Sequence, residues 1–307
     1  DIIDALFFAL RRAGVTLLQD RALSLVTDEA GIAGVVCEQD KIPCKVVILA
    51  TGGCSYPLTG STGDGHRMAE AGGHTIVPLR GSLVPLESDD PCCRQLQGLT
   101  LKNVVLRLKN RTGKILYKEQ GELLFTHFGL SGPLVLSASA HLPDQWEEGM
   151  MVSLDLKPAL EEKQLDARLL RDLEEKANAN CSTILSGLLP ASMVPVMAAR
   201  TGIPLTGKAH DLRREQRRAL LRELKDFQVL LTGTRPLEEA IVTAGGVRTN
   251  EINPKTMESR KVPGLFFAGE LIDVDAYTGG FNLQIAWATG HAAGLGAAAA
   301  LESRLGS

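Results

Sequence analysis

Residues 243–290 read TAGGVRTNEINPKTMESRKVPGLFFAGELIDVDAYTGGFNLQIAWATG, and the order of the elements in this stretch decides the fold. A glycine pair follows a β-rich run, and a second apolar strand at residues 264–268 closes on a Gly-Glu dipeptide. A Gly-Gly turn at residues 279–280 then leads directly into a helix that opens with Asn-Leu-Gln. Strand, glycine turn and helix in this order are typical of α/β proteins that bind a ligand at the strand ends.

The pieces of this stretch suit a flat, anionic cofactor that carries phosphate. A strand that ends in glycine lets the backbone come close to a ligand, and the carboxylate of Glu270 can accept a hydrogen bond from a hydroxyl group. A Gly-Gly turn into a helix aims unpaired N–H groups and the positive end of the helix dipole at negative charge. Because a reduced flavin carries negative charge at its N1/C2=O edge, the stretch predicts half of a flavin-binding site.

A second strand end is predicted upstream, where residues 45–50 (KVVILA) form a continuous apolar run of the kind found in buried parallel strands. The residues predicted to contact the cofactor lie at strand ends, in glycine turns or at the helix start: Ala50, Thr51, Gly52, Gly53, Gly245, Gly246, Gly269, Glu270, Asp273, Gly279, Gly280, Asn282 and Leu283. Glu270 and Asp273 also have plainer interpretations, as a solvated loop carboxylate and a turn residue. Residues 59–65 look like a phosphate loop but lack the Walker lysine, so they are predicted to cap the next helix.

Two side chains are candidates for proton transfer. Tyr277, beside the Gly-Gly turn, could stack on the flavin or donate a proton, although a tyrosine packed at a domain seam would look the same. His127, in the motif FTHFGLSGP at residues 125–133, could donate a proton or contact the substrate, because histidine titrates near neutrality; the alternative is a structural histidine.

These motifs resemble the aminoacetone oxidase/YhiN-type family of FAD-dependent oxidoreductases. Residues 50–57, 59–66 (TGSTGDGH) and 125–133 match the same family in the same order. The resemblance implies FAD, with NAD(P)H as a possible second cofactor, and hydride transfer through flavin N5 between a small organic substrate and NAD(P)H or O₂. An amine oxidase and an NAD(P)H-dependent C=C reductase both remain open, as does the identity of the substrate.

One part of the family pattern is missing from this sequence. The family opens with a strand–GxGxxG–helix that binds the ADP half of FAD, and this segment does not occur here. The chain starts at Asp1 and enters an amphipathic helix directly, so we expect it to be the C-terminal three-quarters of a longer protein and to be inactive by itself.

Composition agrees with an α/β protein that has a small-molecule substrate. The chain has 307 residues, 44% of them hydrophobic, a net charge of −3 and 31 glycines. No signal peptide or membrane span is visible, and six scattered cysteines without a CxxC pair or metal spacing fit the reducing cytoplasm. Arginines crowd residues 213–222, but the interleaved Glu215 and Glu223 favour a solvated helix face, so neither nucleic acid nor a membrane is an expected partner. The oligomeric state stays open.

The predicted fold class is α/β, with an incomplete Rossmann-like FAD-binding domain that is interrupted by an antiparallel, barrel-like and then helical insert. Residues 1–80 and 236–307 are assigned to the FAD-binding domain, 81–157 to the β-rich insert, 158–226 to the helical insert and 227–235 to a return strand. Two other classes stay open: a flavin-free binding or scaffold protein of this fold, and a flavoprotein that acts on RNA.

Overall fold

The computed structural model describes residues 1–143 and 145–305, and its first 82 residues form helices and short strands. In chain order these elements are α1 (Ile2–Arg12), β1 (Ala22–Asp28), β2 (Gly31–Cys37), β3 (Lys41–Pro43), β4 (Val47–Leu49), α2 (Asp64–Ala71) and β5 (Ile76–Ser82). Strands β1, β2 and β3 form an antiparallel sheet in that order. The amphipathic helix predicted at the start is confirmed as α1, where the Asp1 carboxylate caps the N–H groups of Ile3 and Asp4.

The middle of the chain builds an antiparallel sheet with helices around it. Its elements are β6 (Leu86–Glu87), α3 (Pro91–Gln95), β7 (Thr100–Lys109), β8 (Ile115–Thr126), β9 (Gly129–Ser131), α4 (Pro133–Ser139), β10 (Met151–Asp155), α5 (Glu162–Glu175), α6 (Cys181–Ser186), α7 (Met193–Thr201), α8 (Arg214–Lys225), β11 (Phe227–Leu230) and β12 (Gly233–Thr234). The seven strands lie in the order β11-β10-β7-β8-β9-β6-β12, and all neighbours run antiparallel.

The C-terminal elements return to the first part of the chain. They are β13 (Val242–Val247), β14 (Leu265–Phe267) and α9 (Phe281–Leu305). Strand β14 pairs in parallel with β4, and β13 pairs antiparallel with β5. The parallel strand predicted at residues 45–50 is therefore present but shorter, with β14 as its partner.

The β5–β13 pair is a two-stranded ribbon from which the middle of the chain leaves and to which it returns. Ser82 lies opposite Val242, and just beyond them the Ile241 N–H donates to the Leu83 carbonyl at 3.2 Å. The point where the chain leaves the ribbon and the point where it returns are thus neighbours in space. We call residues 83–241 the insert.

The buried apolar side chains form two clusters. The insert cluster includes Leu106, Phe125, Val152 and Phe227, each fully buried. The other cluster centres on β14 and α9. Each part of the fold therefore has its own apolar core, as separate folding units do.

The α/β class is confirmed. Residues 15–18 lie outside regular structure, and no neighbouring strand of the described chain pairs with them. The six cysteines are all free thiols. Across residues 1–143 and 145–305, no helix has both the length and the apolar character needed to cross a bilayer.

Candidate cofactor-binding site

The carboxyl ends of β4 and β14 lie side by side. Leu49 is paired with Phe267, and its carbonyl also accepts the N–H of Ala268 at 3.0 Å. The loops that begin at Ala50 and Ala268 therefore leave the same edge of the sheet, which is where open α/β sheets bind ligands. These two loops carry many of the predicted cofactor residues.

Glu270 connects this edge to the start of β13. Its Oε1 atom accepts the N–H of Thr243 at 2.7 Å and the hydroxyl of Ser55 at 3.2 Å. The Thr243 Oγ1 atom in turn accepts the N–H groups of Cys54 at 2.8 Å and Ser55 at 3.1 Å. A Cβ atom on Gly53 would lie 2.2 Å from Thr243 Oγ1 and 2.5 Å from Glu270 Oε1. Position 53 therefore requires glycine, and Glu270 braces the two loops against β13.

A cavity of about 450 Å³ opens at the N-terminus of α9. Six predicted residues belong to its wall: Glu270, Tyr277, Gly279, Gly280, Asn282 and Leu283. The Gly280 carbonyl accepts the N–H of Gln284 at 3.0 Å, so the N–H groups of residues 281–283 precede the first intrahelical bond and present positive partial charge to the cavity.

Gly280 fits a close ligand approach. Its φ angle is 89°, and a Cβ atom there would meet nothing within 4 Å, so it would project into open space. The cavity volume lies within the roughly 300–1,000 Å³ of small-molecule sites. The residues present therefore fit a flat ring system whose anionic edge meets the helix N-terminus.

Two side chains fix the loop and helix that form this wall. The Asn282 amide accepts the N–H of Ala276 at 2.9 Å and donates to the carbonyl of the same residue at 2.7 Å. The Thr289 hydroxyl accepts the N–H of Gly269 at 2.9 Å and donates to the Ile285 carbonyl at 2.7 Å. Because these contacts occupy the Asn282 side chain, the group of this residue that can bind a ligand is its backbone N–H.

Residues 59–66 comprise the loop before α2 and the first turn of that helix, and a protein carboxylate provides the negative charge at the helix N-terminus. Asp64, in the first helical turn, pairs with Arg21 at 3.1 Å and with Arg67, and it accepts the Thr62 hydroxyl at 2.9 Å. The positive end of α2 is therefore compensated by a protein carboxylate.

Residues 50–53 border the Glu270 network and not the cavity wall. The Thr51 hydroxyl is buried, with no hydrogen-bond partner among the described residues, and a Cβ on Gly65 would lie only 2.0 Å from it. Gly52 packs on Ser61 in the same way. Ala50 and Gly53 precede and follow Thr51 and Gly52 in the sequence.

Several predicted residues are placed elsewhere. Gly245 and Gly246 lie buried in β13, where Cβ atoms would come within 2.3 Å of the Pro78 carbonyl oxygen and 2.5 Å of the Leu271 carbonyl oxygen. The pair therefore permits close backbone packing, and the cavity wall formed by the described residues does not include it. The Asp273 backbone N–H donates to Val247 at 3.0 Å, and Asp273 also lies outside that wall.

The two proton-transfer candidates are not brought together. His127 is exposed between β8 and β9, where its ring lies 5.1 Å from that of Phe128. The Tyr277 hydroxyl instead contacts Nε2 of His141 at 2.5 Å. His141 follows α4, so this contact joins the insert to the loop before α9.

Two buried histidines lie in and after α2. His66 lies in the first turn of α2, and its burial lowers its pKa, an effect that the Leu271 carbonyl partly offsets. His74 is held between the Ala69 carbonyl at 3.1 Å and the Ser259 hydroxyl at 2.8 Å, and burial lowers its pKa too.

Sequence analysis missed Thr243, Ser55, Thr289 and His141. Thr243 alone had a local signal, because a threonine inside the apolar strand VTAGGV must find hydrogen bonds when it is buried. The others gain their roles from partners that are distant along the chain.

This chain is similar to known proteins over almost its whole length. Residues 1–296 match the family described as HI0933-like protein Rossmann domain. A ribosomal RNA dihydrouridine synthase of Escherichia coli is 35% identical over 290 residues, which cover 94% of this chain and 69% of that protein. A 3-dehydro-bile acid delta(4,6)-reductase of Clostridium scindens is 32% identical over 299 residues, 97% of this chain and 73% of that protein.

A ribosomal RNA dihydrouridine synthase of Haemophilus influenzae is 34% identical over 254 residues, which cover 82% of this chain and 60% of that protein. The family match confirms the resemblance inferred from the motifs. With almost its whole length matched, the chain belongs to the HI0933-like Rossmann-domain family.

Proposed function

We propose that this protein is an FAD-dependent oxidoreductase that uses NAD(P)H to reduce a C=C bond conjugated to a carbonyl group. The observation that carries the proposal is the cavity of about 450 Å³ at the N-terminus of α9, where Glu270, Gly279 and Gly280 meet. Membership in a Rossmann-domain family supports a dinucleotide cofactor at this place. The six free thiols fit a cytoplasmic protein.

The flavin, when bound, supplies the hydride. The backbone N–H groups of residues 281–283 would stabilise negative charge on the ring edge, since preorganised dipoles stabilise developing charge without reorganisation. Gly279 and Gly280 would allow close approach of the ring, and Glu270 would accept a hydrogen bond from a ribityl hydroxyl. Tyr277, on the same wall, would donate the proton.

The names of the relatives support this reaction class. Dihydrouridine is uridine with its C=C bond saturated, and a delta(4,6)-reductase saturates C=C bonds of a 3-dehydro bile acid. In both substrates the C=C bond is conjugated to a carbonyl, so one hydride and one proton complete the reaction. An amine oxidase has no such support among these names.

The substrate class is the next question, since one named relative acts on a bile acid and two act on ribosomal RNA. We propose a small conjugated carbonyl compound. Two basic side chains of α8 are paired with acids: Arg217 contacts Asp166 at 3.1 Å, and Lys225 contacts Asp155 at 2.6 Å. These pairs, together with Glu215 and Glu223 on the same helix, make α8 a weak candidate for an RNA surface.

Because the chain by itself is expected to be inactive, the test uses the flavin-loaded protein at the full length of its natural gene product, under anaerobic conditions with NADH or NADPH. Three probes are compared: a 3-oxo-4,6-diene steroid, a uridine-containing RNA and aminoacetone, the last also in air. We expect the steroid to be reduced at the C=C bond with matched consumption of NAD(P)H. If only the RNA is reduced, the protein acts on RNA, and the proposed small substrate is wrong. Aminoacetone-dependent peroxide without C=C reduction would contradict the proposal.

The same assay tests the prediction for His127. His127→Gln should lower turnover if the imidazole touches the substrate. Unchanged turnover would leave His127 with a structural role, which its exposed position beside Phe128 favours.

A further inference from the structure

The contact between Tyr277 and His141 joins two parts of the fold that are 136 residues apart in sequence. The Tyr277 hydroxyl and the His141 Nε2 atom are separated by 2.5 Å, so one proton lies between them. Tyr277 comes from the loop before α9, and His141 from the segment after α4. Both side chains are thereby held at the seam between the insert and the cofactor cavity.

The imidazole of His141 also contacts the ring of a second tyrosine, Tyr117. The Tyr117 ring lies 4.9 Å from it at an interplanar angle of 30°, and the Tyr277 ring lies 5.6 Å away at 35°. The Tyr117 hydroxyl donates to the carboxylate of Glu119. Burial, together with Glu119, raises the pKa of Tyr117, so the phenol stays protonated and keeps this bond. The ring of His141 therefore contacts two tyrosines, Tyr117 through its ring and Tyr277 through its hydroxyl, and Tyr117 is anchored by Glu119.

Tyr277 borders two cavities. It belongs to the wall of the cofactor cavity, together with Glu270 and Gly280. It also borders a second cavity of about 470 Å³, whose wall includes His141, Asp275 and Phe281. Asp275 is held by the Ser82 hydroxyl at 2.5 Å. A substrate in the second cavity would meet Tyr277 at the border with the cofactor.

We propose that His141 is a positioning residue that orients the Tyr277 hydroxyl and restores its proton after each turnover. This inference rests on the proposed function. The substrate C=C bond receives a hydride on one carbon, supplied by the cofactor. The O–H bond of Tyr277 breaks, and its proton forms the new C–H bond on the other carbon. The resulting phenolate takes a proton from Nε2 of protonated His141, and solvent in the second cavity reprotonates the imidazole.

A purely structural contact would have different consequences. An exposed hydrogen bond between two elements contributes about 1 kcal/mol to stability and nothing to the proton step. The variants Tyr277→Phe and His141→Gln keep the approximate shape of the side chains. They distinguish a purely structural contact from a role in proton transfer. His210→Gln is the matched control, because this exposed histidine contacts Ala177 and Asp211 and, among the described residues, neither Tyr277 nor His141.

The first measurement is steady-state reduction of the 3-oxo-4,6-diene steroid by the flavin-loaded protein, with flavin content determined for every variant. We expect kcat to fall roughly 10²–10⁴-fold in Tyr277→Phe and at least ten-fold in His141→Gln, with KM for NAD(P)H and the flavin content unchanged. Because the two residues act as a unit, the double variant should be no slower than Tyr277→Phe. Full activity of His141→Gln, or multiplied losses in the double variant, would overturn the proposal.

The second measurement does not depend on turnover. In ¹⁵N NMR spectra of the imidazole groups, Tyr277→Phe should move the His141 Nε2 resonance and leave that of His127 in place. An unmoved His141 resonance would refute the pairing itself. If the wild-type protein reduces no C=C probe while the His141 resonance does move, the pairing stands and the proposed function fails, so the two failures remain distinct.

Discussion

Glu270 shows how one side chain can both brace a site and border it. Its Oε1 atom accepts the N–H of fully buried Thr243 and the hydroxyl of Ser55, while the residue also belongs to the cavity wall. Glu270→Ala would leave the Thr243 N–H unpaired in the interior, at a cost of about 1–3 kcal/mol. We expect a lower urea midpoint and weaker flavin retention. Glu302→Ala, on the exposed surface of α9, is the control and should change the unfolding free energy by less than about 0.5 kcal/mol.

Gly280 provides the second test among single residues. Alanine at a φ of 89° strains the backbone by about 1–3 kcal/mol, and its Cβ would enter the open space of the cavity. Gly280→Ala should therefore reduce flavin affinity about 5–150-fold, as measured by titration of the flavin-free protein. Gly290→Ala lies in the same helix, where a Cβ meets nothing within 4 Å, and should bind flavin normally. Equal affinity in both variants would place the cofactor elsewhere.

Among the secondary-structure elements, α9 depends on a close approach to β14. A Cβ on Gly296 would lie 2.4 Å from the Thr256 carbonyl oxygen and 3.0 Å from the ring of Phe266, whereas a Cβ on Gly294 meets nothing within 4 Å. Gly296→Ala should destabilise the fold by about 1–3 kcal/mol through overpacking. Gly294→Ala should stabilise it by up to about 1 kcal/mol through helix propensity. Thermal unfolding of both variants gives the comparison, and shifts of the same sign would contradict this packing.

Elements were predictable where the pattern is local and long. The amphipathic period identified α1, the arginine-rich helix face located α8, and the Gly-Gly turn located the start of α9. The parallel strand at residues 45–50 was predicted too long, since hydrogen bonds to β14 alone define β4. The site was only partly predictable, because Thr243 meets Cys54 across 189 residues and Tyr277 meets His141 across 136. Contacts between residues so far apart in the chain produce no periodic pattern in the sequence.

For the whole molecule, two buried histidines contribute to the loss of stability between neutral pH and pH 5. Burial lowers the pKa of both His66 and His74, so the folded state keeps them neutral. The unfolded chain binds protons at these residues below their ordinary pKa of about 6.5. The contribution of the two neutral histidines to stability is therefore fully present above that pH. It is lost as the pH falls towards the folded pKa values, with a slope of up to about 1.4 kcal/mol per pH unit for each histidine.

Urea unfolding at pH 7.5 and pH 5 measures this loss. Glu251 and Lys261 are the charged groups that act on His74. His74→Asn should be less stable than the wild type at pH 7.5, because it disturbs the bonds to Ala69 and Ser259, and should lose less stability on acidification. A wild-type protein equally stable at both pH values would refute the assignment.

The β5–β13 ribbon has a consequence for how such proteins diversify. Since the chain leaves the ribbon at Leu83 and returns at Ile241 as hydrogen-bonded neighbours, anything that joins these two points can be exchanged while the gap between them stays the same. On the proposed function, recombination at this junction would replace the part that faces the substrate and keep the part that holds the flavin. A lineage could then acquire a new substrate in one genetic event, provided that the incoming part supplies an imidazole for Tyr277.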